Sequence, residues 1–231
     1  MLRKLSIHKY KLAIFLLLLA ASGVSILLAD ARMAYSNSND YSALVWNLGL
    51  AWIPLIAALI AQAASRNRVS FFLVMPVCIL VWLVFFPNAP YLLTDFQHLA
   101  TTNSNSPLWF DVILLVWFAW TGLLLGIASL YLMQEIVTLT FNSTVGWIFA
   151  VGATSLSSVG VYLGRFLRWN SWDLLLDAMP IARDMLGFIR HPVSNFPIYV
   201  FTILFTLLFL FIYLTIHLFS WIIRVGAHRE A

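Results

Sequence analysis

The sequence contains little charge. Only 10% of its 231 residues are charged, whereas an ordinary soluble domain is about 25% charged. Hydrophobic residues make up 62% of the chain, and the mean hydropathy is +0.93. The apolar runs are continuous and do not alternate every second residue, so they indicate membrane-spanning helices and exclude a barrel. We therefore expect one all-α, polytopic membrane domain over residues 1–231.

The sequence also lacks the motifs of several common functional classes. Its single cysteine, Cys78, excludes an internal disulfide, a cysteine-rich metal site and an iron–sulfur cluster. The 13 Lys and Arg residues are scattered at segment ends and form no basic patch interleaved with aromatics, so we expect no nucleic-acid partner. The sequence has no G-x-S-x-G elbow, P-loop or H-E-x-x-H motif and no conspicuous internal repeat, so common catalytic templates do not apply.

Six apolar segments are long enough to span a bilayer. They cover residues 12–29, 41–64, 69–86, 109–133, 145–163 and 196–223. The first segment follows basic residues and ends at Ala29-Asp30-Ala31, which has the form of a signal-peptide cleavage site. The segment is therefore either a signal peptide or a retained helix, and its length favours the retained helix. We expect a short polar loop from Asp30 to Asp40 and short interfacial helices on the non-cytoplasmic side.

The distribution of basic residues predicts the orientation. Eight of them fall on one side of a six-helix path: Arg3, Lys4, Lys9, Lys11, Arg66, Arg68, Arg224 and Arg229. The positive-inside rule assigns that side, with both termini, to the cytoplasm of a cell-membrane protein. The opposite side holds Arg32, Arg165, Arg168, Arg183 and Arg190. The last four share a segment with three aspartates and are expected to pair within the protein.

A first polar segment follows the third predicted helix. Its prolines, Pro87 and Pro90, are expected to stop that helix, and residues 91–99 to form a short amphipathic helix at the interface. Asp95 and His98 would then share a face. Such a pair can bind a divalent cation, or the carboxylate can orient a working histidine. Alternatively, the segment is an interfacial helix whose polar side meets water.

Asp111 lies at the start of the fourth predicted helix and is expected at the same membrane face. Asp95, His98 and Asp111 are therefore the candidate ligands of a divalent metal ion. His191, at the entry to the last helix, also falls on the outer side. With the other three it forms the candidate catalytic group: Asp95, His98, Asp111 and His191.

A second polar segment runs from Gly164 to Asp173. Arg165 and Arg168, flanked by aromatic residues, can clamp a phosphate or carboxylate beside the headgroup layer. Alternatively, they reach to lipid phosphates or pair with nearby aspartates. The candidate substrate-binding residues are Arg165, Arg168, Asn170 and Asp173. Beyond them we expect an interfacial helix that breaks or kinks at Pro180.

The two polar segments carry a family resemblance. Phe86-Pro87-Asn88-Ala89-Pro90-Tyr91 with Thr94-Asp95 and His98, and Gly164-Arg165-Phe166-Leu167-Arg168-Trp169-Asn170-Ser171-Trp172-Asp173, resemble a bacterial membrane-protein family catalogued as domain of unknown function 1361. The resemblance covers most of the chain beyond the first helix. It implies a membrane location and a helical fold, and it brings no activity, substrate or cofactor.

The leading functional hypothesis is a membrane-embedded hydrolase or transferase. It would act at the outer leaflet on a lipid or lipid-linked anionic substrate, with a divalent metal ion as the candidate cofactor. The alternative is a non-catalytic transporter, or an assembly partner whose outer arginines and aspartates form a structural ion-pair network. The helix interiors hold little polar character beyond Asn47, Gln62 and His217, which counts against transport.

Overall fold

The computed structural model describes residues 2–37, 39, 41–100 and 107–229, and within those ranges the chain is helical, without strands. The elements in chain order are α1 (Leu2–Ser36), α2 (Ser42–Ala64), α3 (Arg68–Leu73), α4 (Met75–Phe85), α5 (Asn88–Tyr91), a 3₁₀ segment (Leu92–Ala100), α6 (Leu108–Thr140), α7 (Ser143–Phe166), α8 (Asp173–Leu176), α9 (Ala178–Arg190) and α10 (Phe196–Arg229). In the described part of the chain, six helical stretches are long and apolar enough to cross a membrane. The predicted all-α polytopic fold is therefore confirmed.

The first helix is longer than predicted. The expected loop from Asp30 is wrong, because α1 continues to Ser36. No proline or glycine interrupts residues 24–36, and the Ser36 hydroxyl donates to the Arg32 carbonyl one turn earlier (3.1 Å). The chain turns at Asn37, whose φ of 51° is in the left-handed region where Gly or Asn commonly ends a helix. The continuation places Arg32 inside a helix.

The third span is interrupted where one helix was expected, and it ends where the sequence predicted. The chain changes from α3 to α4 at Val74, and Pro76 lies in the first turn of α4, where its missing N–H costs least. Helix α4 ends at Phe85, before Pro87, as the two prolines predicted, and a short helix follows at Leu92–Ala100, close to the predicted residues 91–99. The apolar stretch as a whole runs over Met75–Leu99 and carries the first polar segment at its end.

The chain divides into two compact units, Met1–Leu132 and Met133–Ala231. The predicted single domain stays a prediction. In the first unit α2 packs along α4 and α5, and α1 is joined to its neighbours by hydrogen bonds. The Trp52 indole donates to the Ser22 hydroxyl (3.0 Å), and the Trp117 indole donates to the Ala21 carbonyl (3.0 Å). Retention of α1 stays a prediction, and it would preserve these contacts.

In the second unit α7 packs against α10 through aromatic rings and hydroxyl groups. The hydroxyls meet where Thr206 donates to Ser158 (2.9 Å). The break in the connecting segment lies at Asp177, between α8 and α9, and not at Pro180 as predicted. Pro180 falls in the first turn of α9, where backbone N–H groups need no partner within the helix. The Asp177 side chain accepts from the Met179 amide at this start.

The orientation of the chain stays a prediction. Among the eight basic residues on which it depends, the side chains of Arg3, Lys4, Lys9, Arg224 and Arg229 lie outside the described residues. The side chains of Lys11, Arg66 and Arg68 are described and exposed.

Candidate functional site

The 3₁₀ segment places Asp95 beside His98. Residues three apart are aligned on one side of a 3₁₀ helix, so Leu92, Asp95 and His98 form a row. Leu92 and Asp95 are buried at 0% and 1% exposure, whereas the His98 side chain is 35% exposed. The His98 Nε2 lies 3.7 Å from the Asp95 Oδ1, which is an ion-pair distance longer than an ordinary hydrogen bond. A buried carboxylate therefore faces a partly accessible imidazole.

The chain leading into this row is held by packing and local hydrogen bonds. Trp82 and Phe86 are both buried and stack with ring centroids 4.4 Å apart. The Asn88 side chain donates to the Phe85 carbonyl (3.0 Å), and the Thr94 hydroxyl donates to the Tyr91 carbonyl (2.7 Å). These contacts fix the turn from α4 into the 3₁₀ segment and so fix the position of Asp95.

Gly122 of α6 brings a second helix against the same turn. A Cβ at this position would lie 2.6 Å from the Ala89 carbonyl oxygen and 2.6 Å from the Leu92 side chain. Only glycine permits so close an approach of two helix backbones. Helix α6 thus packs directly against Leu92, the first residue of the 3₁₀ segment.

Asp111 binds an arginine that the sequence did not assign to the site. Arg32 of α1 donates from Nε to the Asp111 Oδ1 (2.5 Å) and from Nη2 to Oδ2 (3.2 Å). Both residues are 1% exposed, and the guanidinium lies over the Tyr41 ring, 5.2 Å from its centroid. This bidentate pair joins α1 to the first turn of α6.

The ion pair bears on the metal hypothesis. Both Asp111 oxygens accept hydrogen bonds from Arg32, and no group of three or more His, Cys, Asp or Glu side chains among the described residues could hold a metal ion. The geometry therefore lends no support to a metal held jointly by Asp95, His98 and Asp111.

Arg32 carried a signal that could have been used. Asp30 and Arg32 are the two charged residues in a stretch, residues 24–36, that contains no helix breaker. An arginine on the continuation of an apolar helix must find a buried partner or reach water. Its partner lies 79 residues away, and local spacing cannot identify a contact of that range.

The second polar segment begins at the end of α7. Arg165 lies in the last turn of this helix, where a cation is favoured by the helix dipole. Arg168 is exposed and has a φ of 62°, in the left-handed region that normally takes glycine. The Trp169 amide returns to the Leu163 carbonyl (3.2 Å), so the chain reverses sharply here. Arg165 and Arg168 thus lie on either side of a helix end.

Asn170 and Asp173 close the next turn upon each other. The Asp173 Oδ2 accepts from the Asn170 backbone amide (2.7 Å) and from the Asn170 side-chain amide (3.1 Å). The Trp169 indole donates to Asp184 of α9 (2.9 Å). Asn170 and Asp173 thus close a turn by hydrogen bonds to each other, and their role as substrate-binding residues stays a prediction. Asp184, which was expected to pair with an arginine, accepts a hydrogen bond from a tryptophan.

The predicted site residues are divided between the two units. Asp95, His98 and Asp111 belong to the first unit, and the four candidate substrate-binding residues belong to the second. His191 is also in the second unit, exposed at the end of α9, and its carbonyl accepts from the Asn195 side chain (2.9 Å). In the first unit the fold brings Asp95 close to His98. In the second unit it brings Asn170 close to Asp173.

A family model described as "Protein of unknown function (DUF1361)" matches residues 46–215. This range includes both polar segments and leaves out Arg32. No match is found among curated proteins. None is found among solved structures.

Proposed function

The chain belongs to the DUF1361 family, and on that premise we propose that it is a membrane-embedded hydrolase or transferase. It would act at the outer leaflet of a bacterial cell membrane, with both termini cytoplasmic, on a lipid or lipid-linked anionic substrate. The observation that carries this proposal is the contact of buried Asp95 with partly exposed His98. Intramembrane and interfacial ionisable groups are costly, so their presence favours a functional role.

In this proposal His98 is the general acid–base group. It accepts a proton from the attacking water or hydroxyl and returns a proton to the leaving group, so no proton is gained or lost overall. Asp95 orients the imidazole ring and stabilises the imidazolium that forms during the transfer. The low dielectric around a buried carboxylate strengthens this stabilisation.

The remaining candidate residues take supporting roles. Asp111, bound to Arg32, is a positioning residue that fixes the start of α6. Arg165 and Arg168 are proposed to bind an anionic group at the interface, since guanidinium groups bind phosphate bidentately. Asn170 and Asp173 would hold the turn that presents Arg168, and exposed His191 is kept as a further proton-transfer candidate.

A second candidate function is a non-catalytic assembly partner. It is favoured by the Arg32–Asp111 ion pair, which uses one of the first unit's acidic groups for a structural contact. Under this alternative the Asp95–His98 contact would also be structural. The two candidates therefore differ in whether His98 exchanges protons with a substrate.

The test compares His98→Asn with Gln97→Ala, an exposed neighbour on the same 3₁₀ segment. The proteins are reconstituted in nanodiscs and incubated with a fluorescent phosphatidylglycerol and a fluorescent polyprenyl diphosphate, and released products are measured. We expect turnover of one of these lipids, a loss of about 10²–10⁴-fold for His98→Asn and little change for Gln97→Ala.

Two outcomes would contradict the enzyme proposal. Equal turnover by wild type and His98→Asn would remove His98 from the chemistry. Absence of turnover of both lipids by the wild type would contradict the substrate class, and loss of folded His98→Asn protein, judged by gel filtration and thermal unfolding, would favour the structural alternative. Asp95→Asn provides a second variant, with a smaller expected loss because the imidazole remains.

A further inference from the structure

The helix α9 is confined to the membrane surface by its connections. The spanning helix α7 ends at Phe166 and the spanning helix α10 begins at Phe196, so residues 167–195 leave the bilayer and return to it. Only residues 191–195 separate α9 from α10. A connection of that length keeps α9 at the interface.

One side of α9 is covered by its own unit. Ile181 is buried at 6% exposure, Asp184 accepts from the Trp169 indole (2.9 Å), and the Phe188 carbonyl accepts from the Tyr199 hydroxyl (2.9 Å). The three residues recur at intervals of three and four, which is one face of a helix. This face fixes the rotation of α9 about its axis.

The side of α9 that remains uncovered is apolar. Met179, Leu186 and Ile189 are 66%, 48% and 68% exposed. At roughly 100° per residue they fall within about 80° of one another. Large apolar side chains in this arrangement are typical of helices that lie in the plane of a membrane interface.

A basic stripe borders the apolar side. Arg183 and Arg190 are both exposed and, being seven residues apart, lie within about 20° of each other. The stripe begins next to Met179 on the helical projection, whereas the acidic Asp184 is on the covered face with Trp169. The uncovered part of α9 therefore presents an apolar surface edged by positive charge without a neighbouring carboxylate on the same stripe.

We propose that α9 is a lipid-binding helix that recognises anionic phospholipid. Met179, Leu186 and Ile189 enter the boundary between headgroups and acyl chains, and Arg183 and Arg190 bind the lipid phosphates. The ligand of the uncovered face of α9 is bilayer lipid, because α9 is connected to two spanning helices and its exposed positive charge complements an anionic headgroup. This inference goes beyond the proposed enzyme and does not depend on it, since it uses none of the proposed catalytic residues.

The single cysteine makes the position of α9 measurable. In a Cys78→Ala background, spin labels are attached at Met179→Cys and Ile189→Cys, and at Asp177→Cys as the control just before the helix. The proteins are placed in nanodiscs of phosphatidylcholine and phosphatidylglycerol. Collision with oxygen, which concentrates in the acyl region, is then compared with collision with a water-soluble nickel chelate.

We expect the labels at positions 179 and 189 to collide preferentially with oxygen and the label at 177 preferentially with the nickel chelate. Equal nickel access at all three positions would place the helix in water and overturn the proposal. Shielding of positions 179 and 189 from both collision partners would show a protein partner or a second copy on this face, and would also overturn it.

Headgroup preference is tested with the double variant Arg183→Gln/Arg190→Gln. Binding of fluorescent phosphatidylglycerol, relative to fluorescent phosphatidylcholine, is expected to fall about tenfold or more, since each basic residue near an anionic surface contributes about a fivefold factor. The comparison variant Arg66→Gln/Arg68→Gln removes two exposed arginines at and just before the start of α3, and an equal fall in that protein would overturn the proposal, because it would show an effect of net charge alone. An unchanged preference in the Arg183→Gln/Arg190→Gln protein would overturn the assignment of these arginines, whatever the result of any activity assay.

Discussion

Both units of the protein bury neutral polar side chains, but among the described residues only the first unit also buries charged ones. In the first unit Arg32, Asp95 and Asp111 are each 1% exposed. In the second unit the buried polar side chains are neutral wherever the structure describes them: Gln134, Thr154, Ser157, Ser158 and Thr206. A charge in a low-dielectric interior is costly unless it is paired, so the first unit must hold its charged partners in fixed positions.

The neutral polar groups of the second unit can form hydrogen bonds without a partner from a distant part of the chain. Thr154 donates to the Ala150 carbonyl (2.6 Å) and Ser158 to the Thr154 carbonyl (2.9 Å), each within its own helix. Such hydroxyls form their hydrogen bonds within their own helix, and their small side chains allow neighbouring helices to pack closely. This contrast favours the first unit as the place of the proposed acid–base pair, and the edge of the second unit as the place of the proposed anion and lipid contacts.

The largest expected effect comes from removing one member of the buried ion pair. Asp111→Ala leaves the Arg32 guanidinium buried without its carboxylate, and breaking such a pair costs about 3–5 kcal/mol. The free energy of unfolding is measured by reversible titration with sodium dodecyl sulfate in mixed micelles. Asp30→Ala, which removes an exposed carboxylate from the same helix as Arg32, is expected to change stability by less than about 0.5 kcal/mol.

The double variant Arg32→Met/Asp111→Leu separates the cost of an unpaired buried charge from the net contribution of the ion pair. Replacing both charges by apolar side chains removes the desolvation cost together with the attraction, so most of the lost stability should return. If Asp111→Ala is as stable as the wild type, the first unit does not depend on its buried charges and the contrast with the second unit fails.

An intermediate effect is expected where α6 meets the turn before the 3₁₀ segment. Gly122→Ala would force the Ala89 carbonyl or Leu92 to move, and overpacking of this kind costs about 1–3 kcal/mol. Gly49→Ala in α2, where no atom lies within 4 Å of an added Cβ, should instead stabilise by up to about 1 kcal/mol through helix propensity. Equal responses of the two variants in the same titration would contradict the close approach at Gly122.

The six spans could be predicted from sequence because their length and apolarity are local properties of the chain. The family resemblance drawn from the two polar segments is confirmed by the match over residues 46–215. The contact of Asp95 with His98 followed from a spacing of three residues, since any helical turn brings such positions together. In each case the information lies within a short stretch of sequence.

Features that depend on distant contacts could not be predicted in this way. The loop expected at Asp30 is helix because polar residues alone do not end a helix without a breaker, and Arg32 there finds its partner in α6. The roles of Asn170 and Asp173 depend on a sharp reversal at Arg168, whose left-handed backbone no residue preference would assign to an arginine. The sequence identified the polar residues of the candidate site. It could not show which of these residues form hydrogen bonds or ion pairs within the protein.

The smallest effect is expected in the second unit. Thr206→Val removes the hydrogen bond to Ser158 between α10 and α7, and such bonds between membrane helices contribute on average about 0.6 kcal/mol. Thr215→Val, which removes a hydroxyl that donates only to its own helix at the Phe211 carbonyl, controls for the change of side chain. A loss from Thr206→Val as large as that from Asp111→Ala would mean that neutral and charged polar groups stabilise the two units alike. A loss near 0.6 kcal/mol, with Thr215→Val unchanged, would support the view that charge is concentrated in the first unit for a purpose other than helix packing.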